Sequence, residues 1–208
     1  MATFLLRVWL PDRPGALGAI ASRIGAVKGD VVGIDILERG GGRVIDEVVV
    51  DLPSADLVPL LLQEIVQVDG VDVEDVRPVD GGAPDHRLDA LETAAGLVDE
   101  RDPDALCRAL VEHAHHDFEA DWVALLRGSD VVAAVGDGAP EPAWLAAFVA
   151  GARTAPDGAG PSDVAWADMS RSGLVLVLGR DGRAFRARER RQAAALSRIA
   201  DTRLAELV

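Results

Sequence analysis

The chain has little basic charge, few aromatic residues and almost no cysteine. Lys28 is its one lysine, and 35 acidic residues against 21 basic ones give a formal net charge of −14. Nucleic acids and anionic membranes attract positively charged surfaces, so this composition argues against both as partners. The single cysteine, Cys107, excludes a disulfide within the chain and any site built from several cysteines. It lies in a helical pattern of apolar residues, which predicts a buried side chain.

Targeting signals and long apolar runs are also missing. The first four residues, Met1 to Phe4, lack the basic region and following apolar segment of a signal peptide, and no run reaches the length of a membrane span. We therefore expect a cytoplasmic protein. Hydrophobic residues still make up 49% of the 208 residues, which is enough for the cores of one or two domains.

Signatures of catalysis are absent as well. The sequence contains no phosphate-binding loop, dinucleotide-binding fingerprint, metalloprotease helix or Ser-His-Asp arrangement. Glu112 and His116 form an i,i+4 pair that could contact a metal ion, but the spacing fixes no third ligand. Histidines also suit the C-terminal end of a helix. We therefore predict a protein that is not an enzyme and that holds no cofactor and no metal ion.

A proline-glycine turn joins the first predicted strand to the first predicted helix. It consists of Asp12, Arg13, Pro14, Gly15, Ala16 and Leu17. Apolar residues alternate through 4–10, the period of a half-buried strand, and recur at helical spacing through 17–27. Pro14 suits the first turn of a helix, and Gly15 lets a ligand approach the backbone closely.

This turn would place free backbone donors at the start of a helix. The N–H groups of Gly15, Ala16 and Leu17 would face outward at the positive end of the helix dipole, where a small carboxylate could bind. The alternative is an ordinary tight turn in which Asp12 hydrogen-bonds its own backbone. The residues by themselves are compatible with both structures.

The first third of the chain continues with the same kinds of element. The pattern predicts a strand over 31–37, a glycine turn at 40–42 and a strand over 44–51. A second helix is predicted to begin near the Ser54 cap, and a last strand to run from Val71. The predicted order is βαββαβ.

Residues 3–79 resemble an ACT domain, the small-molecule regulatory module that is often fused to enzymes of amino-acid metabolism. The resemblance implies a ferredoxin-like fold that often forms side-by-side dimers with amino acids between the two copies. By this resemblance, Asp12 would lie near the ammonium group of a ligand, and the N–H groups that follow it would lie near the carboxylate. The second strand of the other copy would contribute Val32 and Gly33.

The residues at these positions favour an apolar ligand. Serine-binding ACT domains carry a polar amide early in the second strand, where this chain has Val31, Val32 and Gly33. The strand position two residues before Asp12 is Leu10. A buried polar group without a partner costs about 1–3 kcal/mol. We therefore expect a branched or apolar amino acid rather than a serine-like one.

A linker is predicted between two domains. Pro78 is predicted to end the last strand of the first domain, 1–79, and glycine and proline in 80–86 are typical of a linker. The second domain, 87–208, is predicted to open with two helices. A strand hairpin, a helix over 142–152, two more strands and a long final helix follow.

The second domain resembles a GAF domain, a sensor module. The resemblance rests on the glycine-led apolar strand 173–179, on Ala184-Phe185 and on Glu189-Arg190-Arg191. It implies an α+β domain in which helices flank an antiparallel sheet. The residues that could line a second pocket are Trp144, Phe148, Trp166 and Asp168. Aromatic residues at these spacings are also typical of a core.

The one basic stretch of this acidic chain has two interpretations. Six arginines lie between Arg180 and Arg191. They could bind a phosphate or an acidic partner, or they could form the solvated start of the final helix.

Two functions remain compatible with the sequence. The first is a regulatory protein that binds an amino acid at the seam of a homodimer and passes the signal to a separate protein partner. The second is a dimerisation or assembly module without a small ligand.

Overall fold

The computed structural model describes residues 1–79, 85–154 and 160–207. The chain divides into two compact units, Met1–Asp85 and His86–Val208. Most of the linker predicted over 80–86 lies outside the described residues. Among the helices that the structure describes, none combines the length and the apolar character needed to cross a membrane.

The first unit contains four strands and two helices in the predicted βαββαβ order. They are β1 Ala2–Pro11, α1 Ala16–Ala26, β2 Asp30–Gly40, β3 Arg43–Leu52, α2 Val58–Ile65 and β4 Asp72–Val79. A short 3-10 turn, Ala55–Leu57, precedes α2. As predicted, Ser54 caps this turn, because its hydroxyl accepts the N–H of Asp56 at 3.3 Å.

The four strands form one antiparallel sheet in the order β2-β3-β1-β4. This order and the two helices on one face of the sheet define a ferredoxin-like fold, which confirms the predicted fold class. Alternate residues of β1 and β3 point toward the helices because the side chains of a strand alternate between its faces. The fully buried residues of this core include Leu6, Val8, Ile20, Ile24, Leu61 and Ile65.

The strands of the first unit have bounds that differ from the prediction, most clearly in β2 and β4. β2 covers 30–40 rather than 31–37, and its pairing with β3 shifts register at Val32 and at Leu37. Such bulges interrupt the apolar alternation that sequence reasoning uses to find strand ends. Pro78 does not end β4, which continues to Val79. Because β4 is an edge strand, Pro78 can pair with Phe4 without a donor of its own.

The second unit is a sheet with helices on both faces. Its elements are α3 His86–Asp99, α4 Pro103–Asp117, β5 Trp122–Arg127, β6 Asp130–Gly136, α5 Pro142–Ala152, β7 Val164–Met169, β8 Leu174–Gly179 and α6 Ala187–Leu207. The strands are antiparallel in the order β6-β5-β8-β7. α4 and α6 pack on one face and α5 on the other. The predicted antiparallel sheet with flanking helices is therefore confirmed.

Candidate functional site

At the corner between β1 and α1, backbone N–H groups have no hydrogen-bond acceptor among the described residues. Gly15 precedes the helix with a φ of 88°, in the left-handed region that favours glycine. The N–H of Ala16 donates to the carbonyl oxygen of Arg13 at 3.3 Å, so it is engaged within the turn. The N–H groups of Leu17 and Gly18 have no backbone acceptor among the residues that the structure describes. These donors lie at the positive end of the α1 dipole.

Asp12 anchors this corner through its backbone. Its N–H donates to the carbonyl oxygen of Gly42, in the β2–β3 turn, at 2.9 Å. Its side chain is exposed, and no hydrogen bond to its carboxylate occurs within the described ranges. The turn is tight, as in the alternative, because the N–H of Arg13 donates to the carbonyl oxygen of Pro11 at 2.8 Å, but the hydrogen bond from the side chain of Asp12 to its own backbone is not found among the described residues. Arg13 and Pro14 are exposed beside it.

A buried carboxylate near this corner is missed by sequence reasoning. Asp46 lies on the face of β3 that the helices cover, between Val8 on β1 and Ile36 on β2. Its side chain is 2% exposed, and its Oδ1 atom has no hydrogen-bond partner in the part of the chain that the structure describes. The neighbouring Glu47 faces the other side of the sheet and pairs with Arg7 at 2.6 Å.

The electrostatics of Asp46 connect it to the corner. Burial raises the pKa of its carboxyl group above the ordinary value, because the charged form loses its hydration. The positive charge of Arg39 opposes this shift, and the negative charge of Asp12 adds to it. The two carboxylates therefore lie within electrostatic reach of each other. The signal in the sequence was an aspartate in an otherwise apolar alternating strand.

Val32 and Gly33 lie far from this corner within one chain. Val32 is a bulge residue of the edge strand β2 and is 40% exposed. A side chain at Gly33 would press against Val49, which explains the small residue there. Leu10 pairs with Val44 of β3, and Val44 pairs with Arg39 of β2. The part of β2 nearest to the corner is therefore its C-terminal end, opposite to the end that contains Val32 and Gly33. The distance along β2 is about 20 Å at the usual rise of a strand.

The aromatic candidates of the second unit lie on its α5 side. The rings of Trp144 and Phe148 stack in parallel with centroids 5.4 Å apart. Phe148 and Trp166 pack against the core between α5 and the sheet. Asp168 forms an ion pair with Arg153. These contacts account for the four residues as packing and pairing partners within the unit.

A cavity lies elsewhere in the second unit. It has a volume of about 420 Å³ and is lined by Asp104, Cys107 and Arg108 of α4 and by residues 132–134 of β6. Cys107 is buried, as predicted. Burial raises the pKa of its thiol, so the unreactive protonated form is favoured. Sequence reasoning offered no signal for this cavity, because it depends on how α4 lies over β6.

Two arginines of the stretch, Arg180 and Arg190, do not belong to a solvated helix start. Arg180 is 3% exposed, pairs with Glu189 at 2.6 Å and lies over the ring of Phe185 at 4.0 Å. Arg190 donates to the carbonyl oxygens of Phe185 and Val164. The interpretation as a solvated segment is wrong for these two residues, because the chain that precedes α6 folds back and supplies acceptors.

The histidine-rich end of α4 forms polar contacts with α3. The hydroxyl of Thr93 donates to Asp117 at 2.8 Å and lies 3.3 Å from Nδ1 of His113. Within residues 1–79, 85–154 and 160–207, no three histidine, cysteine or acidic side chains lie close enough to hold a metal ion.

Comparisons with known proteins give similarities of fold at low identity. No protein-family model matches the chain, and no curated protein matches it. Similar solved structures include the ACT domain of the GTP pyrophosphokinase of Chlorobium tepidum, with 16% identity and a TM-score of 0.31 over 38% of this chain and 100% of that one. An unknown protein from Galdieria sulphuraria has 16% identity and a TM-score of 0.34 over 46% of this chain and 64% of that one.

A third similar structure is a whole enzyme. It is a formyltetrahydrofolate deformylase from Pseudomonas putida KT2440, with 15% identity and a TM-score of 0.33 over 43% of this chain. The chain spans 36% of the length of that enzyme, and it also spans less than two thirds of the Galdieria sulphuraria protein.

Proposed function

We propose that the protein is a non-catalytic regulator that binds an amino acid at the corner between β1 and α1. The observation that carries this proposal is that hydrogen-bond donors and a carboxylate, none of them bonded to each other, occur at the same corner. The N–H groups of Leu17 and Gly18 lack acceptors among the described residues, and the carboxylate of Asp12 accepts no hydrogen bond there. An α-amino acid offers the complementary carboxylate and ammonium groups.

A homodimer formed through β2 would complete this site. Within the described residues, β2 pairs only with β3, so its other edge is available. Val32, Ile34 and Ile36 are each at least 40% exposed on this strand. An apolar edge strand is a ready pairing surface. A two-fold axis near Asp35 would place Val32 of the partner subunit opposite Glu38, at the end of β2 that lies nearest to Asp12.

We propose a sensor role for the second unit. The resemblance of 87–208 to a GAF domain, together with its antiparallel sheet and flanking helices, supports this assignment. Ligand binding at the seam would change the geometry of the dimer and so the surface offered to a separate protein partner in the cytoplasm. Coupling of this kind requires that the ligand bind the two geometries with different affinities.

A ligand-free assembly module is the second candidate. The exposed apolar residues of β2 favour it, because they explain dimerisation without any small molecule. This alternative predicts a stable dimer whose melting temperature does not respond to metabolites.

The test is a melting-temperature screen of the full chain against the twenty amino acids. A ligand at one hundred times its Kd stabilises the native state by about 2.7 kcal/mol. We expect a branched or apolar amino acid to raise the melting temperature. Asp12→Ala should abolish the shift, and Asp69→Ala, which removes an exposed carboxylate elsewhere in the same unit, should retain it.

Two results would contradict the proposal. The first is a screen in which no amino acid raises the melting temperature, and the second is an Asp12→Ala variant that responds like the unchanged protein. Sedimentation of the chain with and without the amino acid then distinguishes the candidates, since the assembly module forms the same dimer in both conditions.

A further inference from the structure

We propose that Asp46 binds the ammonium group of the ligand, which restricts the ligand to amino acids whose α-amino group is free. This inference rests on the amino-acid site proposed above and names a residue of that site on β3. Nothing in the sequence pattern assigns Asp46 a role. Its position, its lack of a partner and its charge carry the inference.

The position of Asp46 follows from the packing of α1 on the sheet. Ile24 and Leu52 both lie beside Gly29, since a side chain there would meet both of them, so these two residues mark the same level of the unit. From Leu52 to Asp46 the strand advances about 20 Å toward the corner. From Ile24 to Ala16 the helix advances about 12 Å in the same direction. The strand thus advances about 8 Å further than the helix, so Asp46 lies beyond the start of α1, on the side of the turn formed by residues 12–15.

Among the residues that the structure describes, none donates a hydrogen bond to the buried Oδ1 atom of Asp46. Its neighbours across the sheet are Val8 and Ile36, which are apolar. Arg39 acts on Asp46 through its charge and is exposed, and no hydrogen bond to Oδ1 exists among the described residues. A buried carboxylate without a donor is costly for the folded protein. Its presence is explained when a ligand provides the donor.

The charges at the corner select the kind of ligand. Asp46 and Asp12 are both acidic and repel each other, so a third negative charge close to them is disfavoured. A positively charged ammonium group relieves this repulsion. The carboxylate of the same ligand then accepts from the N–H groups of Leu17 and Gly18 at the start of α1. A 2-oxo acid or an N-acetyl amino acid offers a carboxylate but no ammonium group.

The experiment compares three related compounds on the full chain. They are the amino acid that gives the largest shift in the screen, its N-acetyl derivative and its 2-oxo acid, each titrated by calorimetry. The variants are Asp46→Asn, which has nearly the same shape without the charge, and Asp51→Asn, which changes a carboxylate of the same strand on the opposite face. Circular dichroism and melting temperature report whether each variant is folded.

We expect the unchanged protein and Asp51→Asn to bind the amino acid, and neither to bind the other two compounds. Asp46→Asn should raise Kd at least tenfold. Its melting temperature without ligand should equal or exceed that of the unchanged protein, because the substitution removes a buried charge without a partner. A residue that merely holds the fold together would lower this melting temperature.

The results that would overturn the inference about Asp46 differ from the result that would overturn the proposed function. If Asp46→Asn binds the amino acid as tightly as the unchanged protein while Asp12→Ala does not, the site is correct and the role of Asp46 is wrong. Binding of the N-acetyl derivative by the unchanged protein, or a lower melting temperature of Asp46→Asn, also overturns the inference. If no amino acid binds the unchanged protein, both the proposed function and the inference fail.

Discussion

Ser172 donates two hydrogen bonds to the same carboxylate oxygen of Asp201, from its backbone nitrogen at 2.8 Å and from its hydroxyl at 2.7 Å. The other oxygen of Asp201 accepts the N–H of Arg171 at 2.9 Å. The carboxylate thus fastens the turn between β7 and β8 to α6. Burial raises the pKa of Asp201, but these hydrogen bonds and the charge of Arg171 outweigh it, so the net pKa is lowered.

Asp201→Asn should destabilise the protein by about 2–3 kcal/mol at pH 7, because hydrogen bonds to a charged group are stronger than neutral ones. The lowered folded pKa means that the contribution is complete above the unfolded value, 3.8, and disappears as pH falls through the folded pKa. Urea unfolding of both proteins from pH 7 down to acid pH measures this. A constant difference at every pH would contradict it.

Thr93→Val should destabilise the protein by about 1–2 kcal/mol at pH 7, since Asp117 loses its hydroxyl donor. Burial raises the pKa of Asp117, and the bond from Thr93 and the charges of the nearby histidines partly oppose this. A raised folded pKa means that stability falls as pH rises from 3.8 through the folded pKa.

The valine variant should show a steeper loss over this pH range. Thr93→Ser retains the hydroxyl and serves as the control, with unfolding followed by circular dichroism. Equal pH profiles for Thr93→Val and Thr93→Ser would show that the hydroxyl does not influence Asp117.

Arg180→Lys should cost about 2–4 kcal/mol although it keeps the charge. The guanidinium of Arg180 donates to three carbonyl oxygens and to Glu189, and a single ammonium group cannot reproduce this planar set of donors. The control is Arg191→Lys at an exposed position, where we expect a change within about 0.5 kcal/mol. Chemical denaturation compares the two variants, and equal effects would refute the buried role of Arg180.

Gly136→Ala and Gly138→Ala separate steric overlap from backbone strain. Both glycines have positive φ, 83° and 81°. A side chain at Gly136 would overlap the carbonyl oxygen of Asp121, whereas at Gly138 it would meet no atom within 4 Å in the described structure. We expect Gly136→Ala to be less stable than Gly138→Ala by about 1–3 kcal/mol or more, measured by thermal unfolding. Equal melting temperatures would argue against the close contact at Gly136.

Local pattern was sufficient to predict most of the elements. The alternation in β1 and the helical spacing in α1 predicted both, and α5 begins and ends at the predicted residues, Pro142 and Ala152. Local pattern could not predict the bulges of β2 or the passage of β4 through Pro78. These features depend on which strand lies alongside, and no local preference specifies that.

The candidate site, like the fold, could be predicted from the sequence only in part. The glycine turn that leads into α1 and the backbone donors at the start of this helix could be predicted from the residues, because both follow from local geometry. The tertiary structure places Asp46 on the side of the helices and Glu47 on the side of Arg7, since the pairing of β3 with β1 fixes which face of the sheet each residue occupies. It also buries Arg180 against Glu189, a result that depends on long-range packing and that no local pattern specifies.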